Sequence, residues 1–203
     1  MALKTNVKIS NVSNLSDARY CAGMGVDMLG FCTDESKPDY INPTVFSELT
    51  QWVAGPQFVG EFGSMNSDDI KLINTDYQFD LIETAIIENL EPLTVLDIPL
   101  ILKLENINNP SEDQIIQILR YAESLVKHVV IQFNPSNFEA INQSLSQFSA
   151  INTLMSLSPA SAILNVLEAS HFQGIELQAS PEEQTGLKDY GEVMDVLEEL
   201  EID

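Results

Sequence analysis

The sequence predicts a single (βα)8 TIM barrel of the α/β class, spanning residues 1–203 as one domain. Three observations lead there. Short apolar runs alternate with helical patterns along the whole chain, the runs number eight, and no Gly/Ser/Pro-rich linker divides them. Strand and helix repeated in that order imply a parallel sheet, and eight equal units in 203 residues fit a compact closed barrel. A doubly wound open sheet is the alternative, but no GxGxxG follows any run.

The candidate strands are 7–10, 28–32, 58–62, 79–82, 99–104, 129–133, 151–156 and 174–177. They are too short for helices and rich in Val, Ile, Leu and Phe, as parallel strands covered on both faces should be. Helix starts lie between them. Asn42-Pro43 and Ser158-Pro159 each put a capping side chain before proline at the first helical position. Ser111-x-x-Gln114 and Ser136-x-x-Glu139 read as capping boxes, and Asp189-x-x-Glu192 as a variant opening the last, acidic helix. The segment 84–97 is the weakest helical pattern, because Pro92 interrupts it.

Charge restricts the partners. There are 31 acids against nine bases, a formal net charge of −22, and the bases form no cluster in sequence. Such a field repels phosphate backbones, so no nucleic acid is expected. No run approaches the length of a membrane span, and the first residues lack an apolar signal-peptide core. The expectation is therefore a cytoplasmic protein with no membrane contact, in which Cys21 and Cys32 are reduced thiols. No cofactor is implied.

A barrel enzyme works at the carboxyl ends of its strands. The residues closing the runs are Ser10, Cys32, Glu61, Ile82, Glu105, Gln132, Ser156 and Glu176. Polar residues within the runs need explaining, because barrel interiors are normally aliphatic. Lys8 shares the inward face of Ser10 by strand alternation, Lys103 interrupts an apolar run, and Glu61, Asp80, Glu83 and Glu176 lie in or near strands. Two readings stay open. These groups form a ligand pocket with the lysines as anion or carbonyl partners, or they pair as buried structural salt bridges. Glu61, Glu83 and Glu176 could also hold a hard cation, although no metal is assigned. His128 and His171 fall at the amino ends of strands and read as structural. Cys32 and Ser10 have no histidine placed to activate them as nucleophiles.

The segment running from Val7-Lys-Ile-Ser10 through Ser16-Asp17-Ala18-Arg19 to Gly25-Val-Asp27-Met-Leu-Gly30-Phe31 resembles the opening of phosphoribosylanthranilate isomerase. That family begins Lys-Ile-Cys-Gly, continues with a Thr-x-x-x-Asp-Ala helix, and has Gly-Ala-Asp-x-x-Gly-Phe at its second strand. Tyr40-Ile41-x-Pro43 and Gly186-Leu-Lys188-Asp189 resemble two further stretches of it. The resemblance implies a TIM barrel and an Amadori rearrangement of a phosphoribosylamine. In that reaction a strand-one cysteine acts as base, a strand-six aspartate as acid, an arginine binds the anthranilate carboxylate, and glycine-rich turns after strands seven and eight hold phosphate.

This chain departs at each of those places. The base position is Ser10, followed by Asn11 instead of glycine, and the acid position is Gln132, which cannot titrate. The arginine position is Asp39, whose charge repels a carboxylate. The phosphate turns read Met155-Ser-Leu-Ser158 and Gln178-Ala-Ser180, the second followed by Pro181-Glu182-Glu183. Neither keeps a glycine for close backbone approach to phosphate. The loop after strand six is cut to Phe133-Asn-Pro135. The implied function is a noncatalytic barrel that takes a small molecule or a protein partner at its carboxyl-end rim. The alternatives are an enzyme of changed specificity using Lys8, Lys103 and nearby carboxylates, or a weak but genuine isomerase. The architecture carries its own expectation: Ser10 and Gln132 should both lie at the carboxyl ends of their strands.

Overall fold

A computed structural model describes residues 2–105, 112–148, 150–157, 160–179 and 191–202. Its strands are β1 Asn6–Ser10, β2 Met28–Cys32, β3 Gln57–Glu61, β4 Leu81–Thr84, β5 Leu100–Leu104, β6 His128–Gln132, β7 Asn152–Ser156 and β8 Gly174–Gln178. Each pairs in parallel with its neighbours, and β1 pairs with β8 to close the barrel. The helices between and after them are α1 Leu15–Met24, α2 Pro43–Thr50, α3 Ser67–Asn74, α4 Leu90–Leu93, α5 Glu112–Ala122, α6 Phe138–Leu145, α7 Leu164–Leu167 and α8 Gly191–Glu199. No described helix is long and apolar enough to cross a membrane.

Local chemistry accounts for these boundaries. The Asn14 side chain caps α1 by accepting from the Asp17 amide at 2.9 Å, and Gly25 ends it with a left-handed φ of 83°. Asn42 caps α2 through the Val45 amide at 3.0 Å, with Pro43 at the first helical position as expected. The segment holding Pro92 forms only one short helical piece between two 3₁₀ turns. Ser136 makes no capping box, because Pro135–Asn137 is a 3₁₀ turn and α6 begins only at Phe138, without a side-chain cap. The Ser111 box, the Ser158-Pro159 start, the Asp189 start and residues 180–183 lie outside the described residues.

Strand alternation sorts the barrel into two cores. Outward residues such as Val7, Ile9, Leu29, Phe31, Ile82, Leu102 and Ile131 pack under the helices. Inside, Met28, Val59, Leu81, Ile101, Val130 and Leu154 form a separate aliphatic layer, drawn from six successive strands. The next inward position carboxyl-ward on several of these strands is polar, and there the site is built.

Strand four is two residues later than its apolar run suggested. Phe79 packs against Phe46 and Tyr77 outside the barrel. Asp80 lies before the strand, at the amino-end rim, and accepts from the Phe58 amide at 2.7 Å. This overturns its assignment as a ligand-binding candidate, since it caps β3 at the far end of the barrel. Asp27, just before β2, does the same for the Val7 amide of β1 at 2.8 Å. Gln173, just before β8, does it for the Thr153 amide of β7 at 2.8 Å. Ile82 likewise closes no strand at the rim, because Glu83 and Thr84 follow it within β4 and its side chain faces the helices.

His128 opens β6 and is buried, with no hydrogen-bond partner on its Nδ1. Burial, and secondarily the charge of Lys127, lower its pKa from 6.5 to about 4. The folded state therefore holds the neutral ring where the unfolded chain takes up a proton, and stability present above pH 6.5 falls as pH drops toward 4. Replacing His128→Asn should remove about 2 kcal/mol of that acid sensitivity, read from urea melts at pH 7 and pH 4.5.

Candidate functional site

Inward positions at the carboxyl half of the barrel bring five charged side chains together: Lys8 from β1, Glu61 from β3, Glu83 from β4, Lys103 from β5 and Glu176 from β8. The Lys8 ammonium, with no exposed surface, lies 2.6 Å from Glu61 Oε1, 2.8 Å from Glu83 Oε2 and 2.8 Å from Glu176 Oε1. It also donates to Ser10 Oγ at 2.6 Å. Its three protons are spent on Ser10, Glu61 and Glu176. Glu83 Oε2 is thus attracted by the ammonium yet receives no hydrogen bond. Lys103 donates to Glu176 Oε1 at 3.0 Å and stands 3.8 Å from Glu83 Oε1.

Both open readings of these residues have a counterpart here. Lys8, Glu61, Glu83, Lys103 and Glu176 form one buried ion network, and its upper members also border a cavity. The hard-cation arrangement does exist geometrically, with one oxygen from each of Glu61, Glu83 and Glu176 within 4.8 Å of one another. Lys8 Nζ already sits in contact with all three carboxylates, so the protein's own ammonium fills the position a cation would need.

Charge states follow from the packing. Burial alone pulls the Lys8 ammonium down, and the carboxylates of Glu176, Glu61 and Glu83 outweigh it, holding the group well above the ordinary lysine value. Lys103 is raised too, with Glu176 and Glu83 overcoming its burial. Burial pushes Glu176 up, but the two lysines and the hydrogen bonds from Lys8 and Ser10 bring it far below a normal carboxyl. Glu83 goes the other way. Its burial is the largest influence, and Lys8 and Lys103 fail to offset it, so its pKa is raised.

Backbone geometry supports the network. Gly30 lies on β2 beside Glu61, and a β-carbon there would overlap that carboxylate. Asn11 follows β1 with φ 57°, the left-handed conformation for which glycine is the usual residue and asparagine a common substitute. In that turn the Asn11 amide donates to Glu61 Oε2 at 3.0 Å, and its side chain donates to Gln178 Oε1 at 2.8 Å. Gln178 in turn donates to Glu176 Oε2 at 3.2 Å.

Above the network a cavity of about 440 Å³ opens at the carboxyl-end rim. Asn11, Cys32, Asp39, Glu61, Glu83, Lys103, Glu105, Gln132 and Gln178 border it, with Asp34, Lys37 and Phe62–Ser64. Ser10 and Gln132 end β1 and β6, as the architecture required. They differ in access. Gln132 and Asp39 line the cavity, whereas Ser10 is wholly buried beneath it, accepting from Lys8 and donating to Glu176 Oε1 at 2.6 Å. Cys32 also reaches the cavity, but burial raises its thiol pKa. Glu105 follows β5, and Gln178, expected in the turn after strand eight, instead closes β8 two residues beyond Glu176 and lines the cavity. Continuing the period-two pattern past Leu177 points to it. His171 is exposed and takes no part.

The sequence matches no protein-family model, and comparison with curated proteins found no match. Solved structures do match. A phosphoribosyl anthranilate isomerase in complex with reduced 1-(o-carboxyphenylamino)-1-deoxyribulose 5-phosphate superposes with a TM-score of 0.76 at 18% identity, covering 96% of this chain and 97% of that one. The Thermus thermophilus isomerase gives 0.74 at 16% identity, over 96% and 98%. That from Pyrococcus furiosus gives 0.73 at 13%, over 96% and 97%. The chain has the fold of phosphoribosylanthranilate isomerase, across nearly its whole length.

Two measurements check the network. Lys8→Met leaves three buried carboxylates facing one ammonium and should cost about 3–5 kcal/mol at pH 7, read by urea denaturation. Glu83 has a raised folded pKa, so its protonated form favours folding, and stability falls as pH rises above the ordinary value of 4.5. Glu83→Gln should therefore be more stable than the parent at pH 8, with a smaller difference at pH 4.5.

Proposed function

We propose that this barrel is a noncatalytic relative of phosphoribosylanthranilate isomerase that binds a small molecule at its carboxyl-end rim. The observation that carries the reading is the state of Ser10. A residue that removes a substrate proton must reach the substrate and hold a free lone pair of adequate basicity. Ser10 Oγ has no exposed surface, already accepts from a lysine ammonium, and donates its own hydrogen bond to Glu176.

The rest of the rim supports the same conclusion. Gln132 borders the cavity at the position matching the family's acid, and an amide has no proton to transfer at neutral pH. Asp39 borders it at the position matching the arginine, and its charge disfavours an anthranilate carboxylate. β6 is followed almost at once by the Pro135–Asn137 turn, so the family's longer loop after strand six has no counterpart here. A concave volume of about 440 Å³ bordered by amides and charges lies within the range typical of small-molecule sites and suits such a ligand better than a protein partner. Lys103 is unsuited to covalent chemistry, because its neighbours hold it in the ammonium form.

The purified protein should show no turnover of phosphoribosylanthranilate above background, and it should not rescue a tryptophan auxotroph lacking the isomerase. Rescue at low expression would refute the proposal. Ser10→Cys combined with Gln132→Asp should also remain inactive. The new thiol would still lie beneath the rim against Lys8, and Asp39 would be unchanged.

A further inference from the structure

We infer that the carboxyl-end cavity binds a neutral polyhydroxylated molecule, a sugar or sugar alcohol without phosphate, held on the β5–β7 side of the rim by Lys103, Gln132 and Ser156. This deepens the ligand-binding reading above and rests on it.

Hydrogen-bonding capacity is spread unevenly around the rim. On the side built by β1, β3 and β8 the polar groups are committed to one another. Ser10 accepts from Lys8 and donates to Glu176. The Asn11 amide and side chain donate to Glu61 and Gln178, and Gln178 donates to Glu176.

Across the barrel, three successive strands carry groups with capacity to spare. Lys103 on β5, 9% exposed, borders the cavity and donates one hydrogen bond, to Glu176 Oε1. Glu83 Oε1 stands 3.8 Å from its ammonium, beyond hydrogen-bond reach. An ammonium has three protons, so two N–H groups remain. Gln132 closes β6, borders the cavity, and makes no side-chain hydrogen bond among the described residues. Ser156 closes β7 on the inward face, two residues beyond Leu154 of the inner aliphatic layer. It is in register with Gln132 on one side and Glu176 on the other. Ser156 is 3% exposed, and its hydroxyl has no partner among the described residues. A polar group so deeply buried is costly to leave unpaired.

The chemistry of these three side chains selects the ligand. Each offers an N–H or O–H, and the amide and hydroxyl also accept, so the complementary molecule carries oxygens that do both. Hydroxyl groups meet that requirement. The charge of Lys103 is already matched by Glu176 and Glu83, and Asp39 and Glu105 also border the cavity, so an anion would meet carboxylates. A cation would face donors on this side. An apolar ligand would strip water from the ammonium and the amide and return nothing. The volume of about 440 Å³ lies toward the small end of the range for small-molecule sites, as one sugar-sized molecule needs.

The probes are xylitol and myo-inositol, one open-chain and one cyclic, titrated into the full-length protein by ligand-observed saturation-transfer NMR, with ribose 5-phosphate as the charged comparison. We expect saturable one-to-one binding of at least one polyol, with a Kd of about 1–10 mM, from the efficiency of ordinary small ligands. Gln132→Leu and Ser156→Ala should each weaken it about tenfold through one lost hydrogen bond. Both substitutions spare the ion network, and if one variant fails to fold the other decides. Asp39→Asn, on the opposite wall, should change binding by less than about twofold, since a neutral ligand gains little from that charge. No saturation by either polyol at about 50 mM, well above that Kd, would overturn the inference. So would undiminished binding by both variants. Binding of ribose 5-phosphate more than about tenfold tighter would mean an anion site instead. An Asp39→Asn effect as large as the other two would locate the ligand on the acidic wall and refute the assignment to β5–β7. Isomerase rescue reads the noncatalytic proposal separately, so either idea can fall while the other stands.

Discussion

An ammonium group sealed from water must find its entire solvation shell in the protein. At Lys8 that shell is four oxygens, drawn from β1, β3, β4 and β8. The requirement explains features that look unrelated. Gly30 is a glycine because Glu61 passes over it, and the turn at Asn11 is left-handed where its amide meets the other oxygen of Glu61. Ser10 ends its strand with its hydroxyl turned inward, between Lys8 and Glu176. Gln178 completes the shell of Glu176 from above. Each is a local adjustment to one desolvated charge.

The same charge separates structure from chemistry in this barrel. An aliphatic layer drawn from six strands closes the amino half, and the ionic layer takes the level where a barrel enzyme keeps its reacting groups. Buried ion networks contribute little net stability compared with well-packed apolar residues, though breaking one is expensive. The surface of the network nearest the rim remains polar and lined by unequal charge, and that gives the cavity its character.

Much of this was legible in the residues. Eight apolar runs gave the strand number and the parallel order, and period-two alternation put Lys8 on the inward face with Ser10. The pairing partners of Lys8 were named but not assigned, because which glutamate reaches it depends on barrel shear, and shear has no local sequence signal. Strand four was misplaced for a different reason. Phe79 is as apolar as a strand residue, but its ring belongs to the aromatic cluster with Phe46 and Tyr77. A better guide was present in the repeat of Val26-Asp27-Met28-Leu29 by Phe79-Asp80-Leu81-Ile82, in which the aspartate precedes the strand and holds the one before it. The Ser136 capping box failed because Pro135 starts a 3₁₀ turn first.

The separation between Lys8 and Glu176 has a consequence in time. They stand 168 residues apart, at opposite ends of the chain, yet they are register partners in the pair that closes the barrel. During synthesis Lys8 emerges early and its last acceptor almost at the end, so its full set of partners is assembled only when the eighth strand arrives. Loop closure over that distance is slow and entropically costly. The ionic layer is therefore complete only when both ends of the polypeptide have met.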